Sequence, residues 1–194
     1  MLKVGVLALQ GAFREHIQTL ERIGVQGQLI KLPEQLSGID ALIIPGGEST
    51  TIGKLAVAYG LVDPIRILAS KGMPVLGTCA GMILLAKGTA QGYDQPLLGL
   101  MDIVVHRNGF GRQINSFEVD LEIPILGEKP FRSIFIRAPY IQSVGEGVTV
   151  IATLPEGAIV SARERNLLVA AFHPELSEDT RFHAYFIEEM VRGS

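Results

Sequence analysis

The residue best suited to chemistry in this chain is its one cysteine, Cys79. It lies in Gly77-Thr78-Cys79-Ala80-Gly81, between an apolar strand-like run and an apolar helix-like run. A nucleophile elbow has this pattern, because a sharp strand-to-helix turn holds the reactive side chain clear of the backbone. The dipole of the following helix favours the thiolate. Cys79 is therefore predicted to be a nucleophile; the alternative is a small buried hydrophobe.

A base and an acid for that thiol occur in Phe172-His173-Pro174-Glu175, at the end of the continuous apolar run 167–172. In an extended segment, residues two apart point to the same side. His173 can then take the thiol proton and later protonate a leaving amine, while Glu175 orients the ring. The sequence predicts a triad of Cys79, His173 and Glu175; the alternative is a surface histidine near an unrelated acid.

A glycine-rich turn, Pro45-Gly46-Gly47-Glu48-Ser49-Thr50-Thr51, leads into a predicted helix. Such a turn can cradle a phosphate or merely cap the helix through Ser49 or Thr50, but it lacks the Gly-Lys-Ser/Thr ending of a P-loop. Beside a cysteine nucleophile, its N–H groups are better explained as half of an oxyanion hole. We expect Gly47 to supply this half and the N–H of Ala80 the other.

Two arginines and two histidines outside these motifs are less informative. Arg107 and Arg137 each follow or end a predicted strand, and a guanidinium can bind a carboxylate through two hydrogen bonds. Their spacing alone favours a solvated or structural role. His16 and His183 lie on predicted helices and are expected at the surface. No group of His, Cys, Asp and Glu has zinc-site spacing, so no metal is predicted.

The elements that must position these residues alternate in the first half of the chain. Strands are predicted at 3–9, 25–31, 40–44 and 74–77, and helices at 12–23, from Ser49 to near Gly60, from Asp63, and at 80–86. Alternation of this kind predicts a parallel sheet with helices on both faces. From 101 to about 160, short alternating runs predict added antiparallel strands, and a C-terminal helix is expected over about 177–191.

The predicted fold is therefore a single α/β domain over residues 1–194, built on an open, mostly parallel, flavodoxin-like sheet flanked by helices. Gln10, Gly46-Gly47, Cys79 and His173 each follow a predicted strand. In open α/β sheets, ligands bind at the carboxyl edge of the strands. We expect these four segments to meet at one site there.

Composition excludes several other classes of protein. Hydrophobic residues make up 47% of the chain and charged residues 19%, with a net charge of −3. Lys and Arg are nowhere concentrated, so no nucleic-acid surface is expected. A single cysteine favours a reducing compartment, and no uncharged run reaches the roughly 20 residues of a membrane span. We expect a soluble, cytoplasmic protein without a membrane contact.

These motifs resemble those of class I, triad-type glutamine amidotransferases. Further segments narrow the resemblance to one family, the glutaminase subunits of pyridoxal 5′-phosphate synthase. They are 7–16, 45–51, Arg107-Asn108 with Gly111-Arg112-Gln113, 135–139 and 172–176. The elbow and His-Pro-Glu are common to all triad amidotransferases, whereas the Gln10 segment, Arg-Asn and Ile-Arg-Ala-Pro single out this family.

The resemblance implies hydrolysis of L-glutamine to glutamate and ammonia through a glutamyl thioester on Cys79, without a cofactor. It further implies that ammonia passes to a (β/α)8-barrel synthase subunit that makes pyridoxal 5′-phosphate, in vitamin B6 biosynthesis. Gln10 would couple to that partner, and we expect weak activity without it. The residues implied in binding glutamine are Gly47, Glu48, Ser49, Arg107, Ile136 and Arg137.

Three alternatives remain at this point. The glutaminase subunit of imidazole glycerol phosphate synthase shares the triad and the elbow. A flavodoxin-like module could use Cys79 as an oxidisable sensor thiol, although a sensor does not need His173 with Glu175. A phosphate or nucleotide binder could use the turn at Gly46-Gly47.

Overall fold

A computed structural model of the chain describes residues 2–90, 92, 94–110 and 116–193. The strands are β1 (Lys3–Leu7), β2 (Gln26–Ile30), β3 (Ala41–Ile44), β4 (Val75–Thr78), β5 (Ala86–Thr89), β6 (Met101–His106), β7 (Ser116–Leu121), β8 (Phe131–Ile136), β9 (Tyr140–Val144), β10 (Thr149–Thr153), β11 (Ile159–Glu164) and β12 (Leu167–Ala170). The α-helices are α1 (Phe13–Arg22), α2 (Ser49–Ala58), α3 (Val62–Ser70), α4 (Ala80–Leu85) and α5 (Arg181–Tyr185). The motif Gly111-Arg112-Gln113 lies outside the described residues.

The main sheet joins a parallel half to an antiparallel half. The parallel half consists of β2, β1, β3, β4 and β12 in that order, which is the flavodoxin-like arrangement. In the antiparallel half, β11, β9 and β6 continue the main sheet, and β10 pairs with β11. β7 and β8 form a hairpin that is separate from the main sheet. β5 pairs in parallel with β6 at the far edge. The predicted mostly parallel sheet with antiparallel strands added in the second half is confirmed.

Burial explains why the parallel half forms where it does. All four residues of β3 and all four of β12 are buried, as expected for strands covered on both faces. Helix α1 packs beside β1 and β2 with Leu20 fully buried, while Arg14 and Gln18 are exposed. Within the described ranges, no helix has both the length and the apolar character needed to cross a membrane.

The prediction that a C-terminal helix begins at about Ser177 is wrong. A 3₁₀ turn at Pro174–Leu176 comes first, and α5 begins at Arg181 before continuing as a π-helical turn at Phe186–Val191. The Ser177 hydroxyl accepts the N–H of Asp179 at 3.1 Å, and the Asp179 carboxylate accepts the N–H of Arg181 at 3.0 Å. These local side-chain bonds replace the first helical hydrogen bonds.

The carboxyl ends of the parallel strands bring the predicted site segments together. Gln10 follows β1, Gly46-Gly47 follows β3, Cys79 follows β4 directly, and His173 follows β12. Gln10, Gly47, Cys79 and His173 line one pocket. The predicted placement at the carboxyl edge of the sheet is confirmed.

Candidate active site

Cys79 lies on a strained turn between β4 and α4. Its φ of +48° falls in the left-handed region that a residue with a side chain rarely adopts. The Cys79 N–H donates to the Ala170 carbonyl at 2.7 Å, which ties the turn to β12. A side chain at Gly81 would collide with the Ile44 carbonyl, and one at Gly77 would lie 2.7 Å from the Gly81 carbonyl. Both glycines are therefore required by the crossing of strand and helix.

His173 and Glu175 form a close pair behind the cysteine. Nδ1 of His173 lies 2.7 Å from Oε1 of Glu175, and the His173 N–H donates to the Ile134 carbonyl at 2.8 Å. The segment is not extended as expected: His173 caps the 3₁₀ turn Pro174–Leu176, and Glu175 lies within that turn. The turn still directs both side chains toward each other, because its tight winding folds Glu175 back toward the histidine.

The environment of His173 favours its protonated form. Burial alone would lower the pKa of His173, but hydrogen bonds with Cys79 and Glu175 and the charge of Glu175 raise it to about 10. Burial alone would raise the pKa of Glu175, but His16 and the hydrogen bond with His173 lower it. With Nδ1 bound to Glu175, the Nε2 side of the ring is left for the thiol. The three groups together can hold an imidazolium beside a thiolate.

Gly46 occupies the space between the reacting groups. A side chain there would overlap the His173 ring and would lie 3.3 Å from Cβ of Cys79. The Gly46 N–H donates to the Thr78 hydroxyl at 3.1 Å, and its carbonyl accepts the Ala12 N–H at 2.9 Å. Both polar groups of this residue are thus fixed by β4 and by the loop after β1.

The next residue, Gly47, carries the N–H predicted for the oxyanion hole. Within the described residues this N–H has no hydrogen-bond partner, whereas the following N–H, of Glu48, donates to Gln10 Oε1 at 2.8 Å. The Ala80 N–H, at the first position of α4, has no acceptor within its own helix. Gly47, Ala80 and Cys79 all line the same pocket, so both N–H groups belong to residues of the site.

The pocket above Cys79 has a volume of about 260 Å³. This is below the roughly 300–1,000 Å³ typical of drug-sized ligand sites, so the pocket suits a ligand the size of one amino acid. Of the eleven predicted site residues, ten line the pocket, and Glu175 lies behind His173. The ten are Gln10, Gly47, Glu48, Ser49, Cys79, Ala80, Arg107, Ile136, Arg137 and His173. Ile83 and Asn108 complete the wall.

Opposite charges meet at the mouth of this pocket. Nη2 of Arg107 lies 3.2 Å from Oε1 of Glu48. Burial would raise the pKa of Glu48, but the hydrogen bonds from Thr51 and Thr50 and the charge of Arg107 lower it. Glu48, rather than Ser49 or Thr50, caps α2, since its carboxylate accepts the N–H groups of Thr50 and Thr51 at 3.3 and 2.7 Å. The pocket therefore presents a carboxylate and a guanidinium side by side.

Comparison with known proteins identifies the family of the chain. A family model described as the SNO glutamine amidotransferase family matches residues 6–192. The chain belongs to this family. Similar proteins include the "Pyridoxal 5′-phosphate synthase subunit PdxT" of Moorella thermoacetica, 59% identical over 96% of this chain and 98% of that protein. The protein of the same name from Pelotomaculum thermopropionicum is 60% identical over 99% of this chain and 97% of that protein.

A solved structure shows the same fold as this SNO-family chain. It is described as a glutamine amidotransferase, is 49% identical, and covers 98% of this chain and 99% of its own with a TM-score of 0.91. The class of enzyme implied by the elbow and His-Pro-Glu is therefore shown: the chain is a glutamine amidotransferase, which acts as an amide hydrolase.

Gln95 is one polar residue of this amidotransferase that sequence reasoning missed. Its buried Oε1 accepts hydrogen bonds from Arg107 at 2.8 Å, from Ser49 at 3.1 Å and from Thr50 at 3.2 Å. It thereby joins the start of α2 to the arginine at the pocket mouth. Gln95 lies in a loop with no motif around it, so no sequence signal pointed to it.

The expectation that His16 and His183 lie at the surface is wrong. Both side chains are fully buried and meet each other beneath the triad. A signal was present for His16, because it follows Phe13 by three residues and precedes Leu20 by four, which places it on the apolar face of α1. His183 similarly directly follows Phe182 and precedes Phe186 by three residues, and both are buried aromatic residues of the core.

Proposed function

We propose that this chain hydrolyses L-glutamine with Cys79 as nucleophile, His173 as acid and base, and Glu175 as the residue that orients His173. One observation carries the proposal. Cys79 and His173 line the same pocket, and Nδ1 of His173 lies 2.7 Å from the buried carboxylate of Glu175. The chain is a glutaminase subunit of pyridoxal 5′-phosphate synthase, and its reaction supplies ammonia for vitamin B6 biosynthesis.

The first half of the reaction forms a thioester. The Cys79 thiolate attacks the side-chain carbonyl carbon of glutamine, and the carbonyl oxygen becomes an oxyanion that the N–H groups of Gly47 and Ala80 stabilise. The tetrahedral intermediate collapses as the C–N bond breaks and His173 gives its proton to the leaving nitrogen. Ammonia leaves, and the glutamyl group stays on Cys79.

The second half releases glutamate. His173, now neutral, takes a proton from a water molecule that attacks the thioester carbonyl. The C–S bond breaks, the Cys79 thiolate is restored, and His173 is again an imidazolium. Glu175 keeps the proton of Nδ1 engaged throughout, so that Nε2 is the nitrogen that exchanges protons with the reactants.

Recognition of glutamine is assigned to the polar wall of the pocket. A free amino acid carries one ammonium and one carboxylate group, which match the carboxylate of Glu48 and the guanidinium groups of Arg107 and Arg137. Ser49 and Ile136 line the same pocket as these charged groups and Cys79. This arrangement selects an amino acid whose side-chain amide reaches the thiol.

The partner in the proposal is a (β/α)8-barrel subunit of pyridoxal 5′-phosphate synthase. The curated relatives at 51–60% identity carry the name of that synthase, which argues against the imidazole glycerol phosphate synthase alternative. Gln10 bonds the Glu48 N–H beside the oxyanion-hole residue Gly47, so movement of the Gln10 loop by a partner would reach the catalytic centre. The proposal includes one glutaminase domain over residues 1–194, a cytoplasmic location, and no nucleic-acid or membrane partner.

The test is glutamate release from glutamine, measured with and without the barrel subunit. We expect turnover by the wild type to rise when the partner is added. Cys79→Ala should lose at least about 10³-fold in kcat, because removal of a nucleophile leaves only the residual effect of binding. Cys79→Ala should still bind glutamine and the partner, since the pocket wall is intact.

Either of two results would reject part of this proposal. Turnover that survives in Cys79→Ala would rule out the covalent mechanism. Equal wild-type turnover with and without the barrel subunit would rule out activation by that partner. Cys79→Ser serves as the matched variant of similar size, and its loss of activity would show that the thiolate, not the volume of the side chain, is required.

A further inference from the structure

One oxygen of the Glu175 carboxylate is not used by the triad. Oε1 is bonded to His173, but the buried Oε2 meets no donor of hydrogen-bond geometry among the described residues. The ring of His16 faces this oxygen, and its Nε2 lies 3.4 Å from Oε2. Because a buried, unpaired carboxylate oxygen is costly, the orientation of His16 bears directly on the state of Glu175.

His16 stands at a junction of three elements. Its Nε2 lies 3.1 Å from the Thr78 hydroxyl at the end of β4, in addition to its approach to Glu175. Its Nδ1 lies 2.8 Å from Nε2 of His183 on α5. The two histidine rings are fully buried, and their centroids are 5.1 Å apart. The His16 ring thus connects the triad acid Glu175 with the end of β4 and with α5.

Both histidines are neutral near pH 7. Burial lowers the pKa of His16, although the carboxylates of Glu175 and Glu15 act in the opposite direction. Burial and the neighbouring His16 lower the pKa of His183 to about 3. A neutral imidazole carries one N–H, so a single hydrogen lies between Nδ1 of His16 and Nε2 of His183. The nitrogen that carries this hydrogen decides the tautomer of both rings.

The surroundings favour the Nε2–H tautomer in both rings. In that arrangement His183 donates to Nδ1 of His16, and His16 directs its own N–H toward Thr78 and the free oxygen of Glu175. The opposite arrangement would set a nitrogen lone pair of His16 against the carboxylate. It would also bury an N–H at Nδ1 of His183, which has no partner among the described residues.

Thr78 extends this chain of contacts to the other side of the site. Its hydroxyl oxygen accepts the Gly46 N–H at 3.1 Å and lies against Nε2 of His16. Gly46 in turn precedes the oxyanion-hole residue Gly47. A shift of the His16 ring would therefore disturb both the carboxylate that orients His173 and the peptide that leads into the oxyanion hole.

We propose that His16 is a positioning residue of the catalytic triad and that His183 fixes its tautomer. His16 directs its Nε2–H at the second oxygen of the Glu175 carboxylate from 3.4 Å, and this electrostatic contact favours the ionised acid turned toward His173. The inference rests on the proposed triad and assigns to it two residues outside the pocket. Neither residue is among those that line the pocket, so both act through Glu175.

The charged groups around this pair set the sign of the expected pH effect. Glu175 and His173 face His16 from the segment after β12, while Glu15 and Arg22 face the two histidines from α1. Replacement of the His16 ring by an apolar side chain removes the Nε2–H directed at Oε2 of Glu175 and leaves the effect of burial, which raises the pKa of this carboxyl. Glu175 then takes up its proton at a higher pH, so the acid limb of the rate profile moves upward in pH.

The test is the pH profile of glutamine hydrolysis by the complex with the barrel subunit, for His16→Leu and His16→Gln. Active sites are counted by alkylation of Cys79 with a glutamine-like label. His16→Leu should lower kcat roughly tenfold, a part of the about 10²–10⁴-fold that acid–base catalysis contributes, and leave KM within about twofold. Its acid limb should move up by about one pH unit. His16→Gln places an amide N–H near the position of Nε2 and should recover most of both changes.

Thr19→Val is the matched control, because Thr19 is a fully buried polar residue of the same helix that bonds Glu15 and Arg22 but not the triad. It should lower stability and keep the wild-type pH profile. An unmoved acid limb in His16→Leu, or the same shift in Thr19→Val, would overturn the inference.

A second measurement reads the tautomers directly. Nitrogen-15 spectra of the imidazole rings should show His16 and His183 as neutral Nε2–H tautomers between pH 6 and 9. Nδ1–H in His16 would contradict the inference even if the His16→Leu variant failed to fold. Failure of the triad itself would look different, since Cys79→Ala would then retain turnover whatever the tautomers are.

Discussion

The two halves of the main sheet contribute to the site in different ways. The parallel half provides the reacting groups at its strand ends: Cys79 directly after β4, and His173 with Glu175 after β12. The other half of the chain provides two arginines of the pocket wall: Arg107 follows β6 in the antiparallel half, and Arg137 follows β8 in the separate hairpin. The reacting groups thus come from the parallel half alone, whereas recognition draws on both halves, because Glu48 and Ser49 follow β3 and line the same pocket.

The supports of these residues differ as well. Cys79 and His173 follow strands that are buried throughout, and their backbone N–H groups are bonded to neighbouring strands. Arg137 lies in a turn with a positive φ of 44°, and the side chain of Arg107 is held by Gln95 and Glu48. The reacting atoms are therefore fixed by the core, whereas the wall is fixed by turns and side-chain bonds. Substitutions in the first group should lower kcat, and those in the second should raise KM.

The largest effect that separates the halves is expected for Glu175→Gln. An amide can bind Nδ1 of His173 in the wrong tautomer and cannot stabilise the imidazolium, so kcat should fall about 10²–10⁴-fold with an unchanged fold. Glu178→Gln is the matched control, because this acid lies three residues further on and is exposed. The measurement is kcat of the two variants from steady-state kinetics. An unchanged kcat in Glu175→Gln would remove Glu175 from the triad.

A smaller effect of the opposite kind is expected for Arg107→Lys. Lysine keeps the charge but cannot make the paired hydrogen bonds of a guanidinium, so KM for glutamine should rise about tenfold while kcat changes less than about threefold. Arg132→Lys on β8 is the control, since this exposed arginine pairs with Glu118 and Asp120 on the hairpin. A fall in kcat with no change in KM would show that the two halves do not divide the work in this way.

The sequence sufficed for the parallel half because its signals are local. A strand, a glycine-bounded turn and a helix around Cys79 need no knowledge of distant contacts, and the apolar run before His173 marks a central strand. The burial of His16 and His183 was not predicted, because it depends on a distant contact. Whether His183 is exposed depends on α1, which lies more than 150 residues away along the chain. The role of Gln95 was not predicted, because its three hydrogen bonds come from two other segments of the chain. The start of α5 was misplaced since side-chain bonds of Ser177 and Asp179 compete with helix formation.

The most direct test of the account is to look for the covalent intermediate on the cysteine of the parallel half. The complex with the barrel subunit would be mixed with glutamine, quenched in acid during turnover, digested and examined by mass spectrometry. The account predicts one glutamyl group on the peptide that contains Cys79, lost on treatment with hydroxylamine and absent from Cys79→Ser. Full turnover with Cys79 unmodified at every quench time, together with activity in Cys79→Ser, would contradict it.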